Sequence, residues 1–227
     1  MEPGPETETP RPRSRRERPA KPALSREAIV AAALEIVRSE GLRKLTMRRI
    51  AAALDTGAAS LYVYIRDMGE LHVLLLDAHL TALETARREG ETWREQVHRV
   101  LWEYRTILGT YPEMTRTAMF ARPDGPHYLR LVDSILGGLL DGGIAPRDAA
   151  RGVDLLLLYT SSFAVERAMR EAAGDEDAQA GHLRTTIAGL DPAGYPHIVA
   201  VGADALMEPG PRFPWGVDVI LDGMQRA

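Results

Sequence analysis

The sequence predicts an all-α protein. Apolar residues recur at helical spacing in one segment after another, and residues that cap helices precede several of these segments. No stretch of useful length alternates apolar and polar residues as a strand would. With 227 residues, 45% of them hydrophobic, the chain can fill a real core. We expect a three-helix helix-turn-helix unit, joined by a long helix to a C-terminal helical body.

The N-terminal region divides into an arm and a first helix. Residues 1 to 24 are rich in Pro, Glu and Arg and hold almost no large apolar side chains, so we expect them to be disordered. Ser25 is placed to cap a helix whose apolar face begins at Ile29 and which Gly41 ends.

Two shorter helices follow. Thr46 caps the second helix, and the turn "DTG" at 55 to 57 ends it. Residues 58 to 65 then form a short third helix with Leu61 and Ile65 facing inward. We therefore divide the chain into the arm (1–24), a helix-turn-helix unit (25–70) and a helical body (71–227).

The body is predicted to be a series of longer helices. Asp67 and Glu70 have capping-box spacing and begin a fourth helix, which the apolar pattern continues to about Glu89. The acidic stretch "GDEDAQAG" at 174 to 181 is expected to be a loop or a frayed helix end. Further helices are expected at 92–112, directly after Pro112, and at 126–140, 146–173, 196–207 and 214–225.

The charge distribution is uneven. The net charge is −4, yet residues 11 to 50 contain twelve Arg or Lys and only four acidic residues. A basic N-terminal region on an acidic body favours a polyanion-binding module, although a solvated tail beside a solvated helix face would give the same pattern.

Composition also narrows the class of protein. The absence of cysteine excludes disulfides, thiolate catalysis and Cys-ligated zinc. The N-terminus has no apolar signal-peptide core, and no window approaches 18 uninterrupted apolar residues. We expect a cytoplasmic protein.

The third helix has the composition of a DNA-recognition helix. Gly57, Ala58 and Ala59 would let its start approach DNA closely, and Ser60 can bond a base edge or a phosphate. The other expected DNA contacts are hydroxyls and arginines around it: Thr46, Arg48, Arg49, Tyr62, Tyr64 and Arg66. Tyr62 and Tyr64 could instead be core or interface aromatics.

The segment "LTMRRIAAALDTGAASLYVYIRDMGELHVLLLDAHL" resembles the DNA-binding segment of the tetracycline-repressor (TetR) family, and the close match covers about residues 25 to 80. The resemblance implies that Thr46 and Tyr62 contact phosphates, while residues 58 to 60 and Tyr64 face the groove. The family usually has His in place of Tyr64 and Lys in place of Met68. The ending "RFPWGVDVILDGMQRA" is similar to the close of many members with a tetracycline-repressor-like C-terminal domain.

The body holds aromatic, methionine and polar side chains of the kind that line an apolar cavity, though at helical spacing they could equally be plain core. The candidate ligand-binding residues are Trp102, Arg105, Met119, Phe120, His127, Leu131, Tyr159, Phe163 and Glu166. No group of His, Asp and Glu has convincing ligand spacing, so we expect no metal and no cofactor.

The segment "GVDLLLLYTSSFAV" is apolar on more than one face. Together with "WGVDVILDGM", it favours a homodimer formed by the helices around 146–172 and 214–225, as the family commonly has. A monomeric body that buries both segments is the alternative.

These features favour a ligand-responsive transcriptional regulator that binds a palindromic DNA operator as a homodimer, most simply a repressor that a small apolar or aromatic effector releases. One alternative is a sequence-tolerant DNA-binding protein without an effector. Another is an all-α enzyme, against which stand the absence of a nucleophile-base pair, a Gly-rich phosphate loop and paired carboxylates.

Overall fold

Helices account for all of the regular structure in the part of the chain that the computed structural model describes, namely residues 23–119, 121, 123–174, 176–206 and 211–226. The predicted all-α class is confirmed. The α-helices in these ranges are α1 (Arg26–Glu40), α2 (Met47–Ala53), α3 (Ala58–Leu61), α4 (Met68–His79), α5 (Trp93–Thr110), α6 (Pro112–Ala118), α7 (Pro126–Asp141), α8 (Pro146–Ala173), α9 (Glu176–Ala188), α10 (Pro196–Leu206) and α11 (Arg212–Gln225). Residues 1 to 22 of the predicted arm lie outside the described residues.

Side-chain caps fix where several helices begin. The Ser25 hydroxyl accepts a hydrogen bond from the Ala28 amide, and the Thr46 hydroxyl accepts one from the Arg49 amide, each at 3.1 Å. The Asp67 carboxylate accepts from the Glu70 amide at 2.8 Å. Each of these bonds satisfies an amide that has no partner within its own helix. These predicted helix starts are confirmed.

Helices α1 to α3 share a small core. Ile29 of α1, Ile50 of α2 and Leu61 of α3 have no accessible surface, and Ile65 is nearly as deeply buried. Helix α4 packs against α1 through its first turns, where Leu71 is fully buried. Burial of this kind, worth about 1.5 to 3 kcal/mol for each large aliphatic side chain, joins the three short helices into one unit.

The third helix is shorter than predicted. Only Ala58–Leu61 is α-helical, and the amides of Tyr64 and Ile65 both donate to the Leu61 carbonyl, so that the chain continues as a turn. The preceding turn also differs in detail. Asp55, at φ 48°, takes the left-handed conformation, whereas Gly57 has an ordinary φ of −81°.

Helix α4 was predicted to reach about Glu89, and this was wrong. It ends at His79 and passes into a short 3-10 helix, Leu80–Ala82. The carbonyls beyond this point bond to side chains of other helices. The Thr85 carbonyl accepts from Gln96 and Ser134, and Arg99 donates to the carbonyls of Glu84 and Ala86. These tertiary bonds replace the bonds that a longer helix would have made.

Helices α5 to α8 form the core of the body. Helix α5 packs against both α7 and α8, and α6 lies between α4 and α8. Fully buried leucines such as Leu101, Leu108, Leu131 and Leu156 fill the space between these helices. Helix α11 lies along α8, with Phe213 and Leu221 buried against it.

The stretch 174 to 181 was predicted to be a loop or a frayed end, which is wrong for most of its length. Gly174, at φ 69°, ends α8, and α9 begins two residues later at Glu176. Its Glu, Ala and Gln residues have high helix propensity, and here propensity outweighs the acidic charge and the single Gly181. Helices α9 and α10 pack mainly on each other and remain largely exposed.

Candidate functional site

The residues predicted to read DNA form an exposed ridge at α3 and the turn after it. Side chains of Tyr62, Val63 and Tyr64 are 53%, 80% and 39% exposed, and Ala59 and Ser60 are exposed as well. Leu61 and Ile65 hold the ridge in place from beneath. The tyrosines are therefore not core residues of this chain, which removes one alternative interpretation of them.

Gly57 opens this ridge without being required by the backbone. A Cβ atom at Gly57 would meet no atom within 4 Å, and φ is one that alanine adopts readily. The missing side chain leaves the start of α3 free to approach another molecule. No side chain caps the start of α3.

The two arginines of α2 beside the ridge differ in whether an acidic side chain already binds them. The Arg49 guanidinium makes three hydrogen bonds to the two oxygens of the Glu40 carboxylate, the shortest at 2.5 Å, and these hydrogen bonds lower the pKa of Glu40. In contrast, Arg48 is exposed and has no ion pair with any described residue. Of these two arginines, Arg48 is thus the one ready to meet a phosphate.

Arg66 stands at the other end of the ridge and also has an acidic neighbour. Its guanidinium and its backbone amide both donate to Glu70, which pairs with Arg26 of α1 as well. The Arg66 side chain nevertheless remains 84% exposed, so it can share its charge with DNA. Met68, in the place where the family usually has Lys, is half-buried and packs against the core.

A cavity of about 500 Å³, the size of a pocket for a small organic molecule, lies between helices of the body and opens to the surface at Ala121 and Leu158. Helices α4 to α8 and the segment between α6 and α7 surround it. Its described lining residues are Leu76, Tyr104, Leu108, Thr115, Met119, Ala121, Pro123, Tyr128, Asp154, Leu157, Leu158 and Ser161.

The polar groups of the cavity are mostly hydroxyls. Tyr104 is almost completely buried, and this burial raises the pKa of its phenol, so the hydroxyl stays neutral and close to Ser161. Burial, aided by the negative charge of Asp154, also raises the pKa of Tyr128. Thr115 donates to the Leu108 carbonyl at 2.8 Å. The cavity therefore combines leucine and methionine side chains with several neutral hydroxyls and one carboxylate.

Most of the predicted ligand-binding residues lie elsewhere. Trp102, Arg105, Tyr159 and Phe163 form a cluster with Phe213 of α11, with the Arg105 guanidinium carbon 3.9 Å from the Trp102 ring centroid. They line no described part of the cavity and instead hold α11 against α5 and α8.

The remaining predicted residues have separate positions. Glu166 forms ion pairs with Arg170 and Arg212, and Leu131 is a fully buried core residue. His127 lies 3.2 Å from the Thr81 hydroxyl. Met119 does line the cavity, and Phe120 lies outside the described residues. Ligand contact by any of these residues stays a prediction.

Sequence reasoning missed most of the cavity lining. On α8, Thr160 donates to the Leu156 carbonyl within its own helix, whereas Ser161 is the hydroxyl that faces the cavity. A hydroxyl in the apolar centre of a helix was the usable signal. The side of the helix that it occupies depends on how α8 is rotated against α5, which the sequence pattern did not resolve.

The described residues contain no group of three His, Asp or Glu side chains placed to hold a metal ion. Within the same ranges, every helix is too short or too polar to cross a bilayer.

Two family models match this chain. The model described as "Tetracyclin repressor-like, C-terminal domain" matches residues 86–227, and that described as "Bacterial regulatory proteins, tetR family" matches residues 29–72. The second match contains the exposed ridge, and the first contains all of the cavity lining except Leu76.

Known proteins resemble the chain over most of its length. A Streptomyces coelicolor protein described as a transcription regulator is 38% identical, with a TM-score of 0.76 over 91% of this chain and 97% of that one. ActR of the same species, in complex with actinorhodin, is 30% identical, with a TM-score of 0.76 over 90% of this chain and 98% of that one. The class C tetracycline repressor protein of Escherichia coli is 27% identical over 89% of this chain and 91% of the repressor.

The match to the C-terminal model covers more than half of the chain, and the helix-turn-helix match agrees with the observed ridge. The chain therefore belongs to the TetR family of bacterial transcriptional regulators.

Proposed function

We propose that this regulator is a homodimeric repressor, which binds a palindromic operator through α3 and is released when a small aromatic effector enters the cavity. The observation that carries the proposal is that one helix touches both sites. Helix α4 packs against α1 of the helix-turn-helix unit and against α6 and α7 of the body, and its Leu76 lines the cavity. The boundary between the helix-turn-helix unit and the helical body is proposed to lie between residues 70 and 71.

The cavity lining supports the choice of effector. The lining mixes leucine and methionine side chains with the neutral hydroxyls of Tyr104, Tyr128 and Ser161, which favours an aromatic molecule that carries hydroxyl or carbonyl groups. ActR, a structure similar to this chain, contains actinorhodin. Molecules of this chemical class are therefore the first to test.

An exposed apolar stripe supports the homodimer. Leu155 and Leu158 on α8 are about half exposed, and Trp215 on α11 is 67% exposed with Val219 beside it. Neighbouring helices that expose such residues fit a four-helix interface between two copies. A dimer would place two copies of α3 about one DNA turn, or ~34 Å, apart, as a palindromic operator requires.

Regulation then requires only modest coupling. The dimer would have two states, and only one of them would have recognition helices spaced to fit the operator. An effector that binds the other state more tightly lowers operator affinity, by at most the ratio of the effector's affinities for the two states. A coupling free energy of about 1 to 3 kcal/mol would change operator affinity 5- to 150-fold. We further propose that the protein acts in the cytoplasm, where its DNA lies, and catalyses no reaction.

The first experiment is a selection from genomic DNA. The purified protein is incubated with sheared genomic DNA of its source, and the bound fragments are recovered and sequenced. A shared inverted repeat is the expected result, and it defines the operator for all later measurements. Equal recovery across the genome would favour a sequence-tolerant binder, and no recovery at moderate salt would contradict the DNA-binding function.

A second experiment tests the cavity. Actinorhodin and smaller substituted phenols are screened for a rise in melting temperature, since a ligand at 100 times its Kd stabilises the protein by about 2.7 kcal/mol. A compound that binds should also release the operator fragment. The matched control is Ser161→Phe, which fills part of the cavity and should abolish the rise. An equal rise in this variant would place the binding site elsewhere.

A further inference from the structure

The N-terminus of α7 is capped by a residue of another helix. Its own N-cap, Gly125, has no side chain, and the Asp77 carboxylate of α4 accepts the Tyr128 amide instead, at 2.8 Å. Asp77 is 8% exposed, which makes it a buried carboxylate in the described core. The amides at a helix N-terminus favour a negative charge, so the contact binds α4 firmly to α7.

Gly125 makes this contact possible by leaving space. Its φ of −66° and ψ of 150° are ordinary for alanine, so the backbone does not require glycine here. A Cβ atom, however, would lie 2.2 Å from the Asp77 carboxyl carbon. An alanine at this position would therefore have to displace the Asp77 carboxylate.

The same tyrosine also belongs to the cavity. The Tyr128 side chain lines the cavity near Asp154, while its backbone amide is held by Asp77. An effector that pushes on the Tyr128 ring therefore acts directly on the first turn of α7. Tyr128 thus connects the cavity, which its side chain lines, with α4, which its backbone amide contacts.

Asp77 in turn lies on the helix that carries the DNA-binding unit. At the other end of α4, Glu70 pairs with Arg66 beside the ridge and with Arg26 of α1. Leu71 and Leu75 are fully buried between these ends. Because a packed helix moves as a rigid element, a displacement at Asp77 reaches the helix-turn-helix unit.

We propose that the hydrogen bond from the Tyr128 amide to Asp77, which Gly125 leaves room to form, transmits occupancy of the cavity to the DNA-binding unit. Asp77 is thus a positioning residue for regulation. This inference rests on the proposed function. Two other contacts compete for the role: Leu76, which lines the cavity from α4, and the packing of α4 on α6.

The test uses side chains that occupy the cavity in place of an effector. Ser161→Phe enlarges a lining residue of α8, and Ala121→Phe enlarges one between α6 and α7, so that the test still stands if one of the two variants does not fold. Each is combined with Asp77→Ala, Asp77→Asn and Gly125→Ala. Affinity for the operator fragment from the genomic selection is measured for every combination, and helical content is checked by circular dichroism.

Filling the cavity should lower operator affinity about tenfold in the wild-type background, within the range typical of allosteric coupling. In the Asp77→Ala background the same change should lower affinity less than twofold. Asp77→Asn keeps an acceptor oxygen and should retain most of the effect, which a merely structural role would not require.

Gly125→Ala supplies an independent check from the other side of the contact. In a chain that keeps Asp77, Gly125→Ala should reduce the effect of cavity filling on operator affinity as Asp77→Ala does, because its Cβ displaces the carboxylate. Added to Asp77→Ala it should change nothing further, since the space is then free. Additive effects of the two substitutions would overturn the assignment of this contact.

Two other results would each contradict the inference, but they have different consequences for the proposed function. If filling the cavity still lowers affinity tenfold in the Asp77→Ala background, transmission runs through Leu76 or α6 and the inference is wrong, while the proposed function stands. If folded cavity-filled variants bind the operator as tightly as the wild type, regulation from this cavity is itself contradicted, and the inference falls with it.

Discussion

Gly57 lies at the exposed ridge in a position where the fold itself does not require glycine. Its φ of −81° suits any residue, and no atom lies within 4 Å of the position of its missing Cβ. Neither the backbone nor the packing of this chain therefore requires glycine there. A requirement, if one exists, comes from what binds to the ridge.

Gly57→Ala should change the free energy of unfolding by less than about 1 kcal/mol, because the loss of an N-cap glycine and the reduced entropy of the unfolded chain act in opposite directions. Operator affinity should fall about tenfold, since the added methyl group holds the helix start away from phosphate. Urea unfolding and a gel-shift titration measure the two quantities. The control is Gly109→Ala, which also has open space at its Cβ and lies on α5; it should leave operator affinity unchanged.

Tyr62 and Ser60 test the ridge through their hydroxyl groups. Both side chains are exposed, and replacing them by Phe and Ala removes two hydroxyls without opening a cavity. The double variant Tyr62→Phe, Ser60→Ala should bind the operator about 10- to 100-fold more weakly, with unfolding changed by less than about 0.5 kcal/mol. Sedimentation should show an intact dimer. Unchanged affinity in a gel-shift titration would place the DNA contacts elsewhere.

The irregular segment 83–92, which follows α4 and its 3-10 turn, decides where α4 ends. Arg99 of α5 holds this segment by donating to the carbonyls of Glu84 and Ala86 and to the Glu91 carboxylate. The hydrogen bonds from Arg99 lower the pKa of Glu91 from its ordinary 4.5 to about 2. The ion pair thereby links the stability of the segment to pH.

This link predicts a specific pH dependence for Glu91→Gln. Because the pKa of Glu91 is lower in the folded chain, the carboxylate stabilises the fold fully above pH 4.5, and its contribution is lost as the pH falls towards 2. Glu91→Gln should therefore be less stable than the wild type at pH 7, and the difference should shrink below pH 4.5. Urea unfolding at pH 7, 5 and 3 measures it. A difference that stays constant over this range would contradict the role given to the ion pair.

The exposed apolar stripe on α8 and α11 is the proposed dimer interface. Trp215 is its largest exposed member, and aromatic residues of this kind dominate the energetics of protein interfaces. Trp215→Glu would place a charge in the centre of the proposed interface. It should weaken the dimer by about 2 kcal/mol or more, which is roughly a thirtyfold rise in its Kd.

Sedimentation velocity at micromolar concentration measures this change, and operator binding should weaken along with the dimer. Leu140→Glu provides the matched control, since Leu140 lies on α7 and is 42% exposed. That control should remain dimeric. If both variants sediment as the wild type does, the stripe is not the dimer interface.

Features that are encoded locally could be predicted from the sequence. Caps such as Ser25, Thr46 and Asp67 bond amides within three residues, so residue type and spacing are enough to locate these helix starts. Spacing also predicted that Leu61 and Ile65 face inward, and both are buried, whereas it left open whether Tyr62 and Tyr64 are exposed.

Features that depend on partners distant in the sequence could not be predicted in this way. Helix α4 stops early because Gln96, Arg99 and Ser134, which lie on α5 and α7, take the carbonyls that follow it. The cavity lining depends on how α4 to α8 are rotated against one another, so Ser161 lies at the cavity and Trp102 does not. The contact of Asp77 with Tyr128 spans 51 residues, and no local pattern encodes a bond at that separation.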